Sequence, residues 1–286
     1  MRIGCTTNLF PTPRRTFIAA LIVQAVLCLS GCEEPESSRT SFVNKGEVTV
    51  TIVYDNNPGR KDLTSAWGFA CIIQGPGKTI LFDTGSDGRI LLENMRRLNI
   101  DPQEIDVVVL SHIHLDHTGG VVRLLKTRPN IPVYVPTAFP PAFKEQLQTL
   151  SGSLIEAEKS ETICRGVRTT GTLGKGTVEE QGLCVNTPEG WVLITSCAHP
   201  GVANMVALAG EVTKDPINLV MGGFHMGSQS EATINAEMGR LQELGVGDIV
   251  LYNCSGGPAR RLFKGRFGDR CILAGVGSAF PFHAKK

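Results

Sequence analysis

Ser111-His-Ile-His-Leu-Asp-His-Thr-Gly-Gly120 is the stretch on which the reading of this chain turns. It holds three of the six histidines in 286 residues, with an aspartate among them, so chance clustering is a poor explanation. Neutral imidazole and carboxylate are the side chains that hold zinc or iron at neutral pH. The preceding Val107-Val-Val-Leu110 is wholly apolar, as expected of a strand buried on both faces. A strand end leading into a tight loop points alternate residues at one ion, which lets His112 and His114 share a metal. Asp116 and His117, one turn further on, can reach a second.

Upstream of the motif the pattern is of strands. Residues 48–54, 69–73 and 79–82 are rich in β-branched and aromatic side chains, and Gly75-Pro76-Gly77 predicts a hairpin between the last two. Residues 90–98 have helical periodicity, with Leu91, Met95 and Leu98 on one face. Downstream, a helix is predicted near residues 119–127, a strand at 133–135 and a helix over 142–150.

The second half repeats this order. Short strands are predicted at 162–164, 183–186 and 191–195, with a turn at Pro188-Glu189-Gly190, and buried strands at 217–221 and 249–252. Ser228-Gln-Ser-Glu231 reads as a capping box opening a helix to Leu244, with Ile234, Met238 and Leu241 as its apolar stripe and Gly245 as its stop. Strands first and helices interleaved, in each half, predict two packed sheets with helices outside. No short-period repeat is present, which excludes a solenoid.

The His-x-His-x-Asp-His pattern resembles that of the metallo-β-lactamase superfamily, and Ile80-Leu-Phe-Asp83-Thr-Gly85 looks like the family's first motif. The resemblance implies an α/β chain folded as a four-layer αββα sandwich, with Asp83 orienting the metal ligands from behind. Within the superfamily the chain is similar to the dihydropterin ribofuranosylaminobenzene phosphate synthases from about Val53 to Phe280. The segments that carry this are Tyr54-Asp-Asn56, Trp67-Gly-Phe-Ala70, Asn94 with Leu98, Glu180-Gln181, residues 195–204 around His199, and Gly222-Gly-Phe-His-Met226.

His199 follows a predicted strand, where the second half needs to supply a metal ligand. His225 follows the Gly222-Gly223 bend and is expected to be either a ligand or a proton donor. One departure matters: the branch's proline-threonine-histidine-cysteine-threonine-glycine motif reads here Leu251-Tyr-Asn-Cys-Ser-Gly256, so Asn253 stands where histidine is expected. No family aspartate that bridges two metals is evident near Cys197. The expectation is one tight site and a weaker second, for zinc, with iron or manganese as alternatives.

The implied activity is hydrolysis of a small ester, lactone, amide or phosphoester, with Asp116 holding or deprotonating the attacking water. The alternatives are a pterin-type transferase and a metal-binding protein without turnover. Ser255-Gly256-Gly257-Pro258 precedes a predicted helix through Phe267, and free backbone N–H groups there suit an anion. Asn253, Ser255, Gly256 and Gly257 are therefore expected to contact an anionic substrate; Arg260 and Arg261 could add charge there but read first as a solvated basic face.

The N-terminus reads separately. Arg14-Arg15 precedes an apolar run over residues 17–30, too short for the roughly 20 residues that span a bilayer. Leu29-Ser30-Gly31-Cys32 resembles a lipobox, and Pro13-Arg14-Arg15-Thr16-Phe17 resembles a twin-arginine signal. Residues 1–31 are expected to be an export signal, 32–46 a lipidated N-terminus and tether, and 47–286 the catalytic domain. That places the protein in a bacterial envelope, anchored to membrane through Cys32, in the periplasm or on the outer face. Net charge is +1, without the basic excess of a nucleic-acid enzyme. Beyond Cys32 the cysteines are Cys71, Cys164, Cys184, Cys197, Cys254 and Cys271, for which at most one disulfide is expected.

Overall fold

The computed structural model describes residues 47–75 and 77–283. The expected export signal, Cys32 and the tether lie outside the described residues, as does Pro76 of the predicted turn.

The first half runs β1 (Val48–Asp55), β2 (Phe69–Gln74), β3 (Thr79–Phe82), α1 (Gly88–Arg97), β4 (Val107–Val109), α2 (Leu115–Thr118), α3 (Val121–Thr127), β5 (Pro132–Val135), α4 (Pro141–Ser151) and β6 (Ser153–Glu156). The second runs β7 (Thr162–Cys164), β8 (Val167–Thr169), β9 (Leu183–Thr187), β10 (Gly190–Ile194), α5 (Val202–Thr213), β11 (Ile217–Gly222), α6 (Glu231–Glu243), β12 (Asp248–Leu251), α7 (Gly257–Phe267), β13 (Cys271–Leu273) and β14 (Ala279–Phe282). Two seven-stranded sheets result, ordered β14-β1-β2-β3-β4-β5-β6 and β13-β12-β11-β10-β9-β8-β7. In each, an antiparallel hairpin set leads into parallel strands joined through helices: β3 to β6 in the first sheet and β10 to β13 in the second.

Alternate residues explain why the strands read as apolar throughout. Phe69, Cys71 and Ile73 of β2, with Val107 and Val109 of β4, face Val192 and Ile194 of β10 and Val250 of β12 between the sheets. Ala70, Ile72, Leu81 and Val108 turn the other way, onto Leu91 and Met95 of α1 and Leu124 of α3. On the far side, Leu193, Val220 and Ile249 meet Val206 of α5, Met238 of α6 and Phe263 of α7. Three apolar layers between four structural layers make the expected αββα sandwich.

Some local expectations change. The helix predicted near 119–127 forms but begins at Val121, because Gly119-Gly120 is held against the β3–α1 loop: a Cβ on Gly120 would lie 2.2 Å from the Thr84 carbonyl oxygen. The cap of α6 is Ser230, whose hydroxyl accepts from Thr233 N–H at 3.1 Å, so the Ser228–Glu231 capping box is not formed. Strands β6, β8, β13 and β14 were not foreseen. Each is three or four residues long and exists through its neighbour, as where Val48 to Thr51 pair with Ala279 to Phe282.

The loops after β3, β4, β10, β11 and β12 leave the carboxyl ends of parallel strands, which is where open α/β sheets place their ligands. They carry Asp83, the histidine motif, Ser196 to His199, His225 and Asn253 in turn.

Candidate metal centre

Asp83 is fully buried and has a left-handed backbone, with φ 59°. Its carboxylate accepts from Ser111 N–H at 2.7 Å and Ser111 Oγ at 2.8 Å, and Ser196 Oγ also donates to it. His117 Nδ1 lies 2.8 Å from the same carboxylate. One acid thus ties the loop after β4 to the loop after β10 and holds the His117 ring with Nε2 outward.

His112, His114 and His199 converge. Their rings lie 4.6–4.9 Å apart, centroid to centroid, and His112 Nε2 is 3.1 Å from His114 Nδ1. Burial, helped by the neighbouring His117, pulls the His112 imidazolium well below its ordinary range, and burial with His199 does the same for His114. Both rings are therefore neutral at neutral pH, the form that binds metal. His199 supplies the test of fit: its Nδ1 sits 2.9 Å from Glu180 Oε2, while its buried Nε2 has no hydrogen-bond partner among the described residues. With the proton held on Nδ1, Nε2 offers a lone pair to the space shared with His112 and His114. A divalent ion satisfies that nitrogen, so the residues present fit one.

A second group lies beside the first. His117 Nε2 is 3.2 Å from Asp116 Oδ2 and 3.3 Å from Cys197 Sγ. Burial lowers the His117 pKa, but Asp83 and Asp116 outweigh it and push the imidazolium up to about 10. Burial raises Asp116, but His117 pulls its carboxyl down to about 2. The field that retains a proton on His117 is one that also favours a cation. Cys197 Sγ in turn lies 3.2 Å from Cys254 Sγ, and Cys254 and His225 offer ligand atoms within 4.8 Å of it. The hydrogen bond from Cys197, reinforced by His225, draws the Cys254 thiol down to about 5. All six cysteines among the described residues are free, and two of them enter the site. In the sequence Cys197 and Cys254 carry no zinc-knuckle or redox spacing, so nothing local marked them.

Glu180 was also unassigned a role. Buried at the start of the β9 segment, its Oε1 accepts from the N–H groups of Ser196 (3.3 Å), Cys197 and Ala198 (both 2.9 Å), and Oε2 from His199 N–H at 2.9 Å. Gln181 Nε2 donates to the Leu110 carbonyl at 2.8 Å and Gln181 N–H to that of Ser111 at 2.9 Å. Two adjacent residues therefore grip both ligand-bearing loops. The only local signal was a Glu-Gln pair immediately ahead of an apolar strand.

The expected anion site is corrected in part. Ser255 is fully buried and its hydroxyl donates to the Tyr252 carbonyl at 2.8 Å, which commits it to the backbone. Gly256 is backed against Gly227, where a Cβ would lie 2.3 Å from the Gly227 Cα. Arg260 donates to the Leu251 and Ala274 carbonyls at 3.2 and 3.3 Å. Gly257 is exposed at the start of α7. Asn253 is buried beside the sulfurs, its Nδ2 3.5 Å from Cys197 Sγ, with its N–H donating to Asp55 Oδ2 at 2.9 Å. An open cleft of 590 Å³ lies instead on the His199 side, lined by Leu173, Lys175, Pro200 and Asn204 among others.

The profile of the metallo-β-lactamase superfamily matches residues 68–201, the span that holds the motif and His199. The chain thus carries the sequence signature of that superfamily across this span, and its fold. It is 29% identical over 237 residues to 7,8-dihydropterin-6-methyl-4-(β-D-ribofuranosyl)aminobenzene-5'-phosphate synthase of Methanocaldococcus jannaschii, covering 68% of this chain and 81% of the relative. A solved metal-dependent hydrolase of the β-lactamase superfamily superposes with a TM-score of 0.68 at 25% identity, over 82% of this chain and 98% of that one. The metallo-β-lactamase fold protein YhfI of Bacillus subtilis, at 18% identity and TM-score 0.60 over 83% and 100% of the two chains, shares the fold.

Proposed function

We propose that this protein is a metal-dependent hydrolase of small anionic esters, lactones or phosphoesters. The observation that carries the reading is the convergent imidazole cluster of His112, His114 and His199, in which His199 Nε2 has no hydrogen-bond partner among the described residues. A divalent ion, zinc by the nitrogen-rich donor set, supplies Lewis acidity towards an acyl or phosphoryl oxygen when bound. His112, His114 and His199 would hold it, with Asp116 and His117 beside them.

Asp116, a carboxylate at neutral pH and partly exposed, is placed to accept a proton at Oδ2 from an attacking water. Glu180 keeps His199 in one tautomer throughout. Lys175 in the neighbouring cleft is the cation available to a substrate anion. Trp67 and Leu115, 62% and 72% exposed, give the protein an apolar surface next to Asp116 for the rest of a substrate.

A second reading is favoured by the similarity to the methanogen synthase: group transfer onto a pterin-type substrate, with Trp67 as a stacking surface. The deciding experiment assays chelator-stripped and zinc-reloaded protein on a panel of esters, lactones, phosphoesters and pterins. Ester or phosphoester turnover that disappears on stripping, returns with zinc and falls roughly 10²–10⁴-fold in Asp116→Asn supports hydrolysis. Turnover confined to pterins establishes the transferase. Bound metal with no turnover at all leaves a metal-binding protein.

A further inference from the structure

Beyond the histidine cluster, the site has a sulfur-bearing side. Cys197 ends the loop from β10, Cys254 follows β12, and His225 follows β11, so three parallel neighbours each deliver one donor. One ligand atom from each lies within 4.8 Å of the other two. We propose that Cys197, Cys254 and His225 form a second, sulfur-rich metal pocket, selective for a thiophilic divalent ion such as zinc, beside the three-histidine site. The proposal rests on the metal-centre reading above and says which donors the second ion takes.

Donor chemistry is the first argument. Thiolates and imidazole select zinc and exclude magnesium and calcium, which need oxygen ligands. Two cysteines and one histidine with a fourth position open is an arrangement that suits a zinc ion able to bind a further ligand. The two thiols lie 3.2 Å apart without forming a disulfide. On binding, each loses its proton to solvent, and the resulting pair of negative charges needs a cation between them.

Backbone geometry is the second. His225 and Asn253 both sit in the left-handed region, at φ 47° and 45°, as do Asp83 at 59° and Ala198 at 54°. Side chains other than asparagine, aspartate and histidine rarely adopt that conformation, which makes Ala198 the strained position, and such strain gathers at functional sites. His225 and Ala198 bracket the sulfurs. The third argument is Asn253 itself, in the position where a histidine was expected. Its amide nitrogen lies 3.5 Å from Cys197 Sγ, so it is placed to donate to the sulfur and need not ligate the metal. The replacement is thus consistent with a site whose donors have moved from imidazole to thiolate. This assigns His225 to the metal and removes it as a free proton donor.

The test is cobalt substitution of the full chain, stripped with chelator and kept under reductant. The wild type should take up about two ions per chain and show thiolate-to-cobalt charge-transfer absorption in the near ultraviolet. Cys254→Ser, nearly isosteric, should lose that band and bind about one ion. His225→Ala, at an exposed position, should keep the fold by circular dichroism and bind the second ion at least tenfold more weakly. His114→Ala should lose the other ion and keep the charge-transfer band. A wild type that binds cobalt without the band, or a Cys254→Ser protein that keeps it, overturns the sulfur pocket while leaving the histidine site standing. Retention of both ions in His114→Ala overturns the histidine site instead.

Discussion

Replacing Glu180 with Gln leaves the side chain the same size and replaces one carboxylate oxygen with an amide NH2 group. Oε1 can still accept from the N–H groups of Ser196, Cys197 and Ala198, but Oε2 now faces two donors, the His199 N–H and Nδ1–H, each 2.9 Å away in the wild type. Hydrogen bonds to a buried charge contribute about 1.5–3 kcal/mol each, so two lost bonds cost about 3–6 kcal/mol if nothing relaxes. The His199 ring has one escape. It can move its proton to Nε2 and accept at Nδ1 from the new amide NH2, which brings the cost nearer 2 kcal/mol but caps the metal-facing nitrogen.

Stability and metal affinity must therefore both suffer, in a proportion set by the tautomer. Urea unfolding of the metal-free protein should read the first. Competition with a chromophoric chelator should read the second, as a loss of about 10–100-fold. The pH dependence follows from the sign of the shift. Burial raises the Glu180 pKa, but the hydrogen bond from His199 outweighs it and holds the folded value below the unfolded one. The carboxylate's contribution is then complete above the unfolded pKa of about 4.3 and is lost as pH falls through the folded value. The gap between wild type and variant should be flat from neutral pH to about 5 and close below that. A Glu180→Gln protein with wild-type unfolding midpoint and wild-type metal affinity would refute the argument.

Asp55 works in the opposite sense. Burial pushes its carboxyl up to about 6 against hydrogen bonds from Asn57 and Asn253, so the folded state binds the extra proton and stability should fall by about 3 kcal/mol as pH rises from 4 to 6. Asp55→Asn should flatten that slope in urea titrations, and an unchanged slope would assign it to another group. Lys175→Ala should raise KM for anionic substrates roughly tenfold with kcat little changed, since its role is binding rather than chemistry; equal KM for charged and neutral substrates would remove the cation from recognition. Lipid attachment at Cys32 is proposed on the sequence alone: mass spectrometry should find a diacylated mature N-terminus there, absent in Cys32→Ser, and an unmodified terminus elsewhere would end the lipoprotein reading.

Local pattern sufficed wherever the determining interactions are short in sequence. The spacing of His112, His114, Asp116 and His117 is itself the geometry of a strand end and one helical turn, and apolar runs such as Val107–Val109 marked strands buried on both faces. Asp83 stands immediately after such a run, and His199 lies in the loop that follows one ending at Ile194. Tertiary structure decided what meets across the two sheets. Cys197 and Cys254 lie 57 residues apart and looked like small apolar residues, and only the parallel order of β10, β11 and β12 brings them together with His225. Glu180 gained its role the same way, since a carboxylate becomes an anchor only when a loop folds its N–H groups onto it. The opposite happened at Ser255 and Arg260. Their residue types suited an anion, but strand ends packed in a core leave carbonyls that must find donors, and these two side chains were nearest.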